Sequence, residues 1–171
     1  MFSKGDYVVY GNTGVCQVGE IGPLSISAAK KDTLYYQLLP IYGGGVIYTP
    51  VDTKVFMRPI LTRKEVEQII CKLPDIDENA YHSNNLKLLS DQYHAAMQTH
   101  QIETLLQLMK STYHKNQESI QNGRKPAQLD RDYRKRAEKL IFGEFAVVLG
   151  ISYEEVSPYI EKRLKEQEKN F

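Results

Sequence analysis

The chain has 171 residues, of which 42% are hydrophobic and 25% charged, with a formal net charge of +1. That usage is ordinary for folded protein and argues against a disordered or fibrous chain. No stretch approaches the roughly 18 consecutive apolar residues of a membrane span, and the start has no apolar core of a signal peptide. Cys16 and Cys71 lie far apart, without a CxxC spacing. Neither a disulfide framework nor a zinc site follows, and both are read as reduced, structural residues of a cytoplasmic protein.

Eight of the eleven glycines precede residue 46, and glycine favours tight turns over helix interiors. The opening MFSKGDYVVYGNTGVCQVGEIG therefore predicts two short strands, DYVVY and GVCQVGEI, around a GNTG turn. TLYYQLLPI and VIYTPV predict two more, with Gly43 to Gly45 as a hairpin loop between them. KVFMRPI adds a last short strand, closing a small curled sheet of about five strands. The glycine run is not a phosphate loop, because no Lys-Ser/Thr follows it and no helix opens after it.

After Pro59 the period becomes helical. LTRKEVEQIICKL has Thr62 as an N-cap candidate and Val66, Ile69, Ile70 and Leu73 at helical spacing. PDIDENAYHSNN reads as a linker. LKLLSDQYHAAM and IETLLQLMKSTYHKNQESI predict two helices, and NGRKPAQLD a turn. RDYRKRAEKLIFGEFAVVLG predicts a helix with Tyr133, Ala137, Leu140, Ile141, Phe145 and Val148 on one side, ending at Gly150. Ser152 and Glu155 have capping-box spacing at the start of a last helix. The expectation is a two-domain α+β protein. A small β-barrel spans residues 1–60, a connecting helix 61–74, and an all-α bundle 75–171.

Catalytic chemistry finds no footing. His94 and His100 are six apart and face different ways on a helix, and no metal motif accompanies them. Asp75, Asp77 and Glu78 follow Pro74, where acids more often cap a helix than work as general acids. The reading assigns no catalytic residue, cofactor, metal or small-molecule substrate. Charge is more informative. Between Lys110 and Lys139 lie nine basic residues against four acids, a pattern that fits either a solvated helix face or a surface for phosphates. Arg131, Lys135 and Lys139 share one face at i, i+4, i+8. Tyr81, Tyr93, Tyr113 and Tyr133 lie near these helices and have rings suited to bases. In the first half, GGVIYTPV predicts a strand edge able to pair with a partner's strand.

With both halves laid out, the chain resembles the CarD/CdnL family of bacterial transcription regulators. FSKGDYVVYGNTGVCQV is similar to the family's opening strand, glycine turn and second strand. IYTPVD matches the place of its Val-Pro or Ile-Pro pair, and AEKLIFGEFAVVLG is similar to its A-x-x-L-x-x-E-L-A helix. The same small module occurs inside transcription-repair coupling factors, whose surrounding helicase is absent here. The resemblance implies a Tudor-like barrel that docks on the β subunit of RNA polymerase. It also implies a helical domain that contacts promoter DNA near the −10 element and stabilises the open complex.

Polymerase-facing residues are then expected at Leu24, Ile26, Val46, Ile47 and Tyr48, with Leu24 and Tyr48 standing where some members have arginines. DNA contacts are expected from Lys87, Arg124, Lys125, Arg131, Arg134, Lys135 and Lys139. The family's wedging tryptophan is missing, since the chain has no Trp; Tyr81 or Leu86 stands in its place, and Tyr81 is the better suited in chemistry, with a ring to lie against a base and a hydroxyl that stays wet. The protein is expected to act as a monomer without a membrane partner. The other reading is a protein-only adaptor whose helical half binds a protein.

Overall fold

The computed structural model describes residues 1–170. The chain divides into two compact units, Met1–Leu61 and the remainder from Thr62. In the first, five strands form one antiparallel sheet: β1 (Tyr7–Tyr10), β2 (Gly14–Gly22), β3 (Tyr35–Pro40), β4 (Ile47–Pro50) and β5 (Met57–Pro59). Their order is β4-β3-β2-β1-β5. Each predicted strand is present, and the Gly43–Gly45 run lies in the β3–β4 connection. The register sets Val8 opposite Cys16, Val18 opposite Leu38, and Leu38 opposite Ile47. Alternation sends these side chains to one face, where Val8, Cys16, Val18, Tyr36 and Leu38 form a buried core flanked by Phe2, Tyr10 and Met57.

The sheet is strongly curled. In a flat sheet, β1 and β4 would stand about 14 Å apart, yet the Tyr10 hydroxyl donates to Thr49 Oγ1 at 3.1 Å. A bulge between Val18 and Ile21 tightens the bend. There the Glu20 N–H bonds the side-chain carbonyl of Gln37 at 3.0 Å, and a Cβ on Gly19 would lie 2.6 Å from that oxygen. The ladder nevertheless stays open, where a closed barrel was expected. Its two edges are β4, four residues ending at Pro50, and β5, three residues ending at Pro59. Strands this short, each stopped by a residue without an N–H, have little backbone with which to form a closing ladder.

The second unit holds five helices: α1 (Arg63–Lys72), α2 (Leu86–Gln98), α3 (Ile102–Gln121), α4 (Gln128–Leu149) and α5 (Tyr153–Lys169). Thr62 caps α1 as expected, its N–H bonding Glu65 Oε2 at 2.7 Å while its hydroxyl oxygen accepts from Glu65 N at 3.3 Å. Val66 and Ile70 on α1 are buried as the helix packs on α4 and α5. The predicted linker begins with a single 3-10 turn, Leu73–Asp75. It ends at Asn85, whose side-chain oxygen accepts from Lys87 N and Leu88 N. Asp77 caps no helix; it accepts from the Asn79 N–H at 2.9 Å. α3 and α4 form the main packing pair, burying Leu105, Leu106 and Leu108 against Ala137, Ile141 and Phe145. Gly150 ends α4 at φ +69°, the left-handed cap.

One polar cluster sits inside this unit. Tyr93 (α2) donates to Asp130 Oδ1 (α4) at 2.6 Å, and Lys115 (α3) donates to the same oxygen at 3.1 Å and to the Tyr93 hydroxyl at 2.9 Å. Asp130 is only 4% exposed. Burial first, then the bond and charge of Asp130, push the Tyr93 hydroxyl's pKa up.

Asp130→Ala leaves a lysine ammonium and a phenol with no anion, so the helical unit should lose about 3 kcal/mol, read by urea denaturation of the full chain. A loss below about 1 kcal/mol would show that the cluster does not hold the helices. In the sheet unit, burial lifts the Cys16 thiol from its ordinary 9.0 to about 11, whereas Cys71 is exposed. At neutral pH an alkylating reagent should label Cys71 alone until the chain unfolds, as counted by mass spectrometry. Because the folded pKa is raised, the stability from burying Cys16 is complete below 9.0 and should fall away as pH rises towards about 11.

Candidate functional surfaces

β4 lies at one edge of the sheet, so one side of its backbone has no strand partner among the described residues. Alternation divides its side chains. Ile47 packs on the core, while Tyr48 (49% exposed) and Val46, the residue just before the strand, are exposed. Gln37, opposite Tyr48 in the register, reaches the tyrosine hydroxyl at 3.5 Å. Ile26 (58% exposed) and the half-buried Leu24 lie on the loop between β2 and β3. Three of the five expected contact residues are therefore open to solvent, and two are drawn inward. Sequence reasoning missed Tyr7, Leu34, Ile41 and Val55, which also expose apolar surface. Only Tyr7 carried a signal, as an alternate position of β1.

The basic residues of the helical unit separate into three groups. Lys110 and Lys115 are half-buried and tied to protein oxygens. Lys110 donates to the carbonyls of Leu73, Pro74 and Ile76 at 2.8–3.0 Å, pinning the turn after α1, and Lys115 serves Asp130. Arg134 and Arg136 lie over rings: Arg134 over Tyr113 at 5.8 Å and Arg136 over Tyr133 at 4.9 Å. Arg131, Lys135 and Lys139 are exposed along one row of α4, about 12 Å long at 1.5 Å per residue. Arg124 and Lys125 are exposed in the α3–α4 turn. Lys87 is exposed in the first turn of α2.

The two wedge candidates differ in setting. Tyr81 is half-buried, with its ring edge-to-face on Tyr93 at 5.5 Å, and burial raises its pKa. Leu86 is 66% exposed at the first residue of α2, and Leu88 beside it is also exposed. Leu86 precedes Tyr93 by about two helical turns, and Tyr93 bonds Asp130 next to Arg131. The same helix that presents Leu86 is thus fastened to the start of the basic row. Among the described residues, no group of three or more His, Cys, Asp or Glu side chains is placed to hold a metal ion. None of the helices among them is long and apolar enough to cross a membrane.

No curated protein matches the chain. Residues 2–61 match the family model described as the CarD-like/TRCF RID domain, and that span coincides with the sheet unit. A domain of this type indicates a transcription-related protein that interacts with RNA polymerase. The sheet unit is thus similar to the CarD-like/TRCF RID domain over residues 2–61.

Proposed function

We propose that the protein is a non-enzymatic, cytoplasmic transcription regulator that docks on the polymerase β subunit and holds promoter DNA near the −10 element, stabilising the open complex. The observation that carries this reading is the match of residues 2–61 to a unit whose β4 edge is unpaired. The curl that brings Tyr10 to Thr49 suits a Tudor-like module. Docking then rests on backbone pairing along β4, with Val46 and Tyr48 contributing apolar contacts. The row Arg131, Lys135, Lys139 supplies phosphate contacts without reading bases. Leu86 acts as a steric wedge in the distorted minor groove, a role that apolar side chains serve elsewhere. Tyr81 supports it by packing on Tyr93.

Tyr48→Asp should sharply reduce co-purification of the full chain with core polymerase, because a charge must be desolvated at the contact. Undiminished recovery would remove β4 from the docking surface. Arg131→Ala with Lys135→Ala should weaken binding to all duplexes alike and flatten the log-affinity against log-salt slope by roughly two units. An unchanged slope would favour the protein-only adaptor, for which exposed Leu86 and Leu88 are equally suited. Leu86→Ala should shorten the open-complex lifetime at an unchanged melting temperature, whereas Tyr81→Ala should lower the melting temperature first.

A further inference from the structure

Arg134 stands apart from the basic row. It lines a cavity of about 500 Å³ within the helical unit, bounded by the turn after α1 and by α3, α4 and α5. Met109, Phe142 and Leu164 make much of its wall apolar, and Tyr113, Lys110 and Glu138 complete the polar side. Size and lining are those of a small-molecule site: a mostly apolar hollow with a few convergent polar groups. Lys110 is already saturated by three backbone carbonyls. Arg134 is not saturated, for its Nε is buried and has no hydrogen-bond partner among the described residues. A buried guanidinium N–H without an acceptor is unusual enough to require one.

We infer that this cavity binds a small amphiphilic carboxylate, with its head group on Arg134 and its apolar chain along Met109, Phe142 and Leu164. Three features select that chemistry. The guanidinium lies over the Tyr113 ring at 5.8 Å, and its planar fork of N–H groups matches a carboxylate. The charged lining residues Lys110, Arg134 and Glu138 leave one net positive charge, suited to a monoanion. Glu138 disfavours a doubly charged phosphate at the same place. The apolar wall excludes a fully hydrated anion, because displacing water from it is favourable only for an apolar body. This inference does not depend on the polymerase reading.

The test is calorimetric titration of the full chain with decanoate below its micelle concentration. Decanol and Arg134→Gln serve as the informative comparisons. Saturable binding at one site is expected. It should weaken about tenfold or more in Arg134→Gln, by loss of a charge-assisted bond, and similarly with decanol. Met109→Trp should block binding by filling the cavity, and Lys135→Gln should leave it unchanged. Circular dichroism checks that each variant keeps its helices. The assignment is overturned if the unaltered protein shows no saturation, if decanol binds as tightly as decanoate, or if folded Arg134→Gln and Met109→Trp both retain full affinity.

Discussion

Asp130 carries its carboxylate into the interior at the first turn of α4, where Tyr93 from α2 and Lys115 from α3 meet it. A buried carboxylate is tolerable only when paired and hydrogen-bonded, so this requirement fixes three helices relative to one another. It also suits the helix dipole, since an acid in a first turn lies near the positive end. The arrangement of the helical unit depends on it in two ways. It removes Lys115 from the surface, and it anchors the start of the row that runs from Arg131 to Lys139. The same bond connects that row to the helix presenting Leu86.

The sheet unit obeys a different constraint. Five short strands must enclose a core, and the bulge at Val18–Ile21 with the Tyr10–Thr49 bond curls them around it. Prolines at the ends of β4 and β5 limit further pairing. The core is thereby covered while the β4 edge is left open. An unpaired strand edge is normally a hazard, and its retention here beside Val46 and Tyr48 agrees with the reading of that edge as a docking site.

The basic residues illustrate how one composition divides into separate roles. A count of positive charge between Lys110 and Lys139 treats them as one surface. In the fold, Lys110 and Lys115 are tied to protein oxygens and Arg134 lies half-buried over an aromatic ring, while the rest, including Arg136 over Tyr133, face solvent. Only the solvent-facing group can release counterions from a nucleic acid. Arg134 lines a hollow whose wall is largely apolar, and its buried Nε has no hydrogen-bond partner among the described residues.

Much of the fold was legible from local pattern. Glycine turns and β-branched alternation located all five strands, and the Thr62 cap, the Gly150 stop and the apolar spacing of α4 located helices. These features are encoded within a few residues of themselves, so a linear reading recovers them. The resemblance of the first residues to a CarD-like module was legible for the same reason. What the sequence could not decide was set by distant partners. Whether the sheet closes depends on two edges meeting, and the chosen strands are too short for that. Which way Ile47 and Tyr48 point follows from the pairing of β4 with β3, and the choice between Tyr81 and Leu86 as the protruding side chain from where Tyr93 lies. Nothing near Lys110 in the chain announces that its ammonium will sit among the carbonyls of Leu73, Pro74 and Ile76. A lysine is read as surface charge until a tertiary contact supplies it with oxygen atoms, and only the folded chain brings those within 3 Å.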